Sequence, residues 1–277
     1  MSFFRILPIV LGALLAACAS PQRQAASASA QRGTIASVRG CDVHYAVRGP
    51  AIATDPVAIV AHGFMRDGSY MAGWAEAFAA AGVTAVTVDL CASSAADGRH
   101  ADNGADMVAL RRALGAREAV YVGVSAGGLA ALIAASNDRE GTRALLLLDP
   151  VNAGGQARSA AGKVRAPVAA LVAKPQACNA WGNIDPALRS LGNAATVRIA
   201  NASHCDFEWP GDRFCRVACL ATDSGAKRDE AQARIRRLGV EFVAAAARGD
   251  DDALARWRSA AGHFALEPVT SLPEHRR

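Results

Sequence analysis

The chain has 277 residues, 52% of them hydrophobic, with seven cysteines and a formal net charge of +5. Its length is enough for one large domain with a proper core, with about 260 residues beyond a short first segment that looks removable. The charge rests on scattered arginines, often followed by acids as in GDRFCR and KRDEAQARIRR, and no basic patch is interleaved with aromatics. This distribution argues against nucleic acid as a partner.

The first segment, MSFFRILPIVLGALLAAC, carries Arg5 ahead of an apolar run from Ile6 to Ala17. The run is too short to cross a bilayer as a helix and has the length of a signal-peptide core. Leu15-Ala16-Ala17-Cys18 resembles the lipobox of bacterial lipoproteins, in which the cysteine is acylated and becomes the mature N-terminus. Residues 1–17 are therefore expected to be a signal peptide and Cys18 the lipidation site. Ala19 follows in place of Asp, and the resemblance then favours the outer membrane, facing the periplasm. Residues 18–33 are small and polar without a hydrophobic period and read as a lipidated flexible tether. The folded domain is expected over 34–268 and a C-terminal tail over 269–277.

From residue 34 the pattern alternates. TIASVRG and CDVHYAVRG read as two strands in a tight hairpin. PVAIVAHG is a continuous apolar run, as in buried parallel strands. GWAEAFAAAG predicts a helix stopped by Gly82. VTAVTVDLC is a strand and NGADMVALRRALG a helix stopped by Gly115. AVYVGV and AGGLAALIAAS form a strand–helix pair. RALLLLDPV, APVAALVAK and ATVRIAN are three more strands. EAQARIRRLGVEFVAAAARG is a closing amphipathic helix, with Ile235, Leu238, Phe242 and Ala246 at helical spacing. Antiparallel strands followed by alternating strands and helices predict a mostly parallel eight-stranded α/β sheet covered on both faces.

The turn Gly123-Val124-Ser125-Ala126-Gly127 lies between a predicted strand and a predicted helix. A serine hydroxyl is a poor nucleophile unless a base takes its proton and the turn lifts it clear of the backbone. Flanking glycines keep neighbouring chain from clashing with such a turn. With the strand order, this motif makes the chain resemble the α/β-hydrolase fold along nearly the whole mature domain. LLLLDPV and the general layout are similar to the chlorophyllase, dienelactone hydrolase and polyester hydrolase branches.

The resemblance implies the other roles. Ser125 is the expected nucleophile. The amide of Ala126 and that of Phe64, in the loop AHGFMRDG, are the expected oxyanion donors. His62 is expected to hold that loop. His204, after the last strand, is the expected base. The common place for the acid, after the seventh strand, offers no carboxylate before Asp185. Asp149, at the end of the sixth strand, is preferred, with Asp185, Asp206 and Asp89 as alternatives. The segment between the sixth and seventh strands is too short for a large cap domain, so an open site is expected. Phe64, Met65, Tyr70, Trp181, Phe207 and Trp209 are candidates either for its apolar wall or for ordinary core.

Apart from Cys18, six cysteines remain, which permits three disulfides in an oxidising compartment. Their spacing lacks the paired C-x-x-C of a zinc site, and no metal or cofactor motif appears. In the resembled fold, Cys178, Cys205, Cys215 and Cys219 follow neighbouring strands. The preferred pairs are Cys178 with Cys205 and Cys215 with Cys219, which leaves Cys41 and Cys91 for a third.

The expectation is a membrane-anchored serine esterase. The alternative is a lipoprotein that keeps the fold as a binding module with little turnover. Cys18→Ser should release the protein from membranes or block its processing. Normal processing with full partition into the detergent phase would contradict the lipid anchor.

Overall fold

The computed structural model describes residues 30–51, 56–91, 99–219 and 225–262. The expected signal peptide, Cys18, residues 18–29 of the tether, and the tail lie outside them. Among the described residues no helix is long and apolar enough to cross a membrane.

The strands are β1 (Gln31–Ala36), β2 (Asp42–Arg48), β3 (Val57–Ala61), β4 (Ala85–Val88), β5 (Ala119–Val124), β6 (Thr142–Leu148), β7 (Val168–Val172) and β8 (Ala194–Arg198). They form one sheet in the order β1-β2-β4-β3-β5-β6-β7-β8. β1 and β2 run antiparallel to each other, β2 runs antiparallel to β4, and the remaining pairs are parallel. β1 begins three residues before the expected start of the domain and ends at Ala36. Residues 37–41, read as strand, form the hairpin turn: Ser37 N–H donates to the Cys41 carbonyl at 2.7 Å, and Gly40 takes φ +83°.

The helices are α1 (Ala72–Ala80), α2 (His100–Ala113), α3 (Ala126–Asn137), α4 (Ala157–Ala161), α5 (Asp185–Ser190), α6 (Arg213–Ala218), α7 (Ala226–Arg248) and α8 (Asp251–Gly262). They cover the sheet on both faces, and period-two alternation explains why its strands read as unbroken apolar runs. Val57, Ile59, Tyr121, Leu145 and Leu147 face the layer of α2, α3, α4 and α5. Val60, Val120, Val122, Leu146 and Leu148 face α1, α7 and α8. Four helices were not predicted: α4, α5 and α6 are only five or six residues long, and α8 follows Gly249, which stops α7 with φ +68°.

The disulfides are Cys41–Cys91, Cys178–Cys219 and Cys205–Cys215. The first is as expected. The other two correct the preferred pairing of Cys178 with Cys205 and Cys215 with Cys219. Cys215 and Cys219 stand one turn apart on α6 and its C-cap, so their side chains lie side by side and point the same way. Each finds a partner on a different loop, Cys205 after β8 and Cys178 after β7. The parallel sheet brings both loops to its C-terminal edge.

Candidate functional site

Ser125 stands between β5 and α3 with φ +54° and ψ −120°, a sparsely populated backbone region. The surrounding glycines permit this turn through close approach. A Cβ on Gly123 would lie 2.1 Å from the Gly127 carbonyl oxygen, and one on Gly127 2.2 Å from the His62 oxygen. A Cβ on Gly63 would meet Ser125 Cβ at 3.3 Å. The elbow thus packs directly on the loop after β3.

That loop carries His62, which the structure places as a brace. Leu90 N–H donates to His62 Nε2 at 3.0 Å, so Nδ1 carries the proton and donates to the Gly63 carbonyl at 2.8 Å. Burial lowers the pKa of the imidazole and keeps it neutral. Among the described residues, the amides of Phe64 and Ala126 donate to no acceptor. Both residues line the cavity that contains Ser125.

His204 sits in a short 3-10 turn (His204–Phe207) after β8. Its Nε2 is 2.9 Å from Ser125 Oγ and its Nδ1 2.6 Å from Asp149 Oδ2. Asp149 can only accept from Nδ1–H, which leaves the Nε2 lone pair toward the serine hydroxyl. Asp149 follows β6 with φ +42°. Its Oδ1 accepts from Ala173 N–H at 2.9 Å, and both oxygens face the Asn179 amide at 3.2 and 3.4 Å. Asn179 is itself fixed, donating to the Lys174 carbonyl and accepting from Gln176 and Gly182 N–H. These contacts aim a buried carboxyl at one ring nitrogen.

The other carboxylates considered for the acid are engaged elsewhere. Asp185 pairs with Arg198 at 3.0 Å, and burial raises its pKa. Asp89 accepts from Gly68 N–H. Asp206 turns away from the ring: it accepts from the Ser203 amide and hydroxyl, Arg228 and Gln232. Burial would raise the Asp206 pKa, but these donors hold it below the ordinary range. They also fix the turn that carries His204. Trp74 on α1 donates to the Phe207 carbonyl at 2.9 Å and ties the same turn to the core.

The cavity over Ser125 measures about 520 Å³. Of the candidates for its wall, Phe64 and Met65 line it. Tyr70, Trp181, Phe207 and Trp209 are not among its lining residues. Phe207 is fully buried in the core, Trp209 packs edge-on against Trp74, Tyr70 lies under Arg66, and Trp181 is mostly exposed. Phe214, Cys215, Ala218 and Cys219, on and just after α6, line the cavity in their place. Sequence reading missed this wall because a six-residue helix carries almost no periodic signal. It also missed Asn179, Arg66 and Glu208, which have no motif; the clustered cysteines around them were the available signal. Cys205, Cys215 and Cys219 bring their sulfurs close together, but all three are in disulfides and so do not offer thiolates to a metal.

No protein family model matches the sequence, and neither does any curated protein. Solved structures do match. A predicted hydrolase from Thermoplasma acidophilum is 13% identical, with 69% of this chain and 97% of that chain covered and a TM-score of 0.55. Esterase 2 of Thermogutta terrifontis is 18% identical, with 77% and 96% covered and a TM-score of 0.54. The thioesterase domain of the curacin biosynthetic pathway is 13% identical, with 70% and 99% covered and a TM-score of 0.53. The chain has the α/β-hydrolase fold. Epoxide hydrolase structures also match, but this chain spans only 37–40% of their length.

Within this fold, Gly127→Ala should be poorly tolerated, because the clash is with backbone rather than a movable side chain. Overpacking of this kind costs on the order of 3 kcal/mol. Thermal unfolding of the variant should show a clear drop in Tm; an unchanged Tm would mean that the elbow does not need its close approach.

Proposed function

We propose that this protein is a serine hydrolase of carboxylic esters, with Ser125, His204 and Asp149 as its triad. The supporting observation is the run of two hydrogen bonds, 2.6 and 2.9 Å, from Asp149 through His204 to a serine on a strained elbow. In this reading Ser125 Oγ attacks the ester carbonyl carbon while His204 Nε2 takes the hydroxyl proton. The carbonyl oxygen becomes an oxyanion and is received by the free amides of Phe64 and Ala126. The α3 N-terminus beneath it adds favourable partial charge. His204 then gives its proton to the departing alcohol, leaving an acyl-enzyme. Water, deprotonated by His204, attacks the acyl carbon, and Ser125 recovers the proton.

The fold neighbours named as an esterase and a thioesterase support acyl transfer as the reaction class. The cavity walls of Phe64, Met65, Val151 and Phe214 suit an apolar acyl group. Similarity of the Leu-Asp-Pro-Val stretch to the chlorophyllase, dienelactone hydrolase and polyester hydrolase branches supports the same class. Export, with lipid at Cys18 holding the domain at the outer membrane, completes the reading. Three disulfides fit an oxidising compartment.

A series of p-nitrophenyl esters of graded chain length tests the activity. Asp149→Asn should lower turnover by about 10³- to 10⁴-fold with the fold intact, since the imidazole loses the acceptor that fixes its tautomer. A mild Asp149→Asn together with a crippling Asp185→Asn would place the acid after β7 and contradict the assignment.

A further inference from the structure

The cavity contains more polarity than an apolar acyl group would satisfy. Glu208 and His100 both line it, and both are more than nine-tenths buried. Glu208 Oε2 and His100 Nδ1 are buried atoms without a hydrogen-bond partner. Buried polar groups are normally partnered, so each orphan atom asks for a donor or acceptor from outside the protein.

The charge around Glu208 narrows the choice. Its other oxygen, Oε1, accepts from Arg66 Nε at 2.8 Å. The same guanidinium reaches Asp212 Oδ2 at 3.2 Å and lies over the Tyr70 ring at 4.6 Å. Two carboxylates thus share one guanidinium, and Glu208 Oε2 is left without a donor. Asp212 spends its Oδ1 on Cys215 N–H at the start of α6, so the unused acceptor is Glu208 Oε2. Burial pushes the Glu208 carboxyl up, and Arg66 opposes that shift. His100, whose burial keeps it neutral, can donate or accept according to its tautomer.

We propose that Glu208 is a recognition group for a protonated primary amine on the alcohol side of the substrate. An ammonium supplies what Oε2 lacks, a donor, and supplies it in the charged form that a carboxylate binds most strongly. The side follows from position: Glu208 lines the cavity together with His204, and its carboxyl feels the charge of that imidazole, which hands its proton to the departing alcohol. This inference rests on the ester-hydrolase reading for its placement, and on the orphan carboxylate oxygen for its chemistry.

A matched pair of substrates tests it: 4-(aminomethyl)phenyl and 4-ethylphenyl esters of the same acid, which differ by ammonium against methyl. The kcat/KM ratio of the pair is measured in the wild-type protein and in Glu208→Gln. In the variant, Arg66 holds the amide oxygen and the NH₂ group takes the place of Oε2, a donor where an acceptor stood. The ratio should favour the amine at least about tenfold more in wild type than in the variant, the scale of a charge-assisted hydrogen bond. Equal ratios, or a wild-type preference for the ethyl ester, would overturn the proposal.

A binding arm needs neither turnover nor a folded variant. Benzylammonium should raise the wild-type Tm, and benzyl methyl ether, which can only accept, should not. Equal effects of the two, or none from benzylammonium, would also overturn the proposal. Absence of turnover on either ester with benzylammonium still selectively bound would refute the ester reading and leave the amine subsite standing.

Discussion

The arrangement depends on one close contact between backbones, that of Gly127 with the carbonyls of Ala61 and His62. A methyl on Gly127 would lie 2.2 Å from the His62 oxygen, so α3 can approach the end of β3 only through glycine. That approach sets Ser125 beside Gly63, and Phe64 and Ala126 line the same cavity as the serine. His62 then locks the loop by bonding in two directions, to Gly63 and across to Leu90. The serine is presented by sterics, and the loop opposite it is held by one neutral imidazole.

His204 and Asp149 come from different strands and need a separate constraint. Asp149 is turned toward His204 by Ala173 N–H and the Asn179 amide, both from the segment that follows β7. His204 is carried on a turn that Asp206, Arg228 and Gln232 brace from beneath. The short helix α6 is bonded to both halves. Cys205–Cys215 ties it beside His204, and Cys178–Cys219 ties it beside Asn179. One small element, too short to hold itself, is thus stapled across the cavity by covalent bonds, where a long cap would use packing. Closing loops in this way limits the unfolded chain more than it adds native contact.

The legible parts of this molecule were those with a period or a motif. Strands buried on both faces read as runs such as VAIVA and LLLL, and the elbow showed itself by glycine spacing between strand and helix. The expected serine, histidine and Asp149 meet at hydrogen-bonding distance for that reason. The disulfide pairing was not legible, because it depends on the way Cys215 and Cys219 face from a helix that leaves no periodic signature. Asn179, Arg66 and Glu208 act through contacts between segments far apart in sequence, and nothing local marks them. The candidate aromatics divide between the two places open to them: Trp209 and Phe207 follow His204 in sequence, but they pack against Gly73 and Trp74 and not in the cavity. Proximity in sequence to a site residue does not carry a side chain into the site.

The proposed activity requires that His204 activate Ser125 at neutral pH. Exposure of the folded protein to a fluorophosphonate, followed by peptide mass mapping, tests it most directly. A single adduct is expected on the peptide that contains Ser125, with loss of that adduct in His204→Ala. An unlabelled protein, an adduct on another serine, or undiminished labelling of His204→Ala would contradict it.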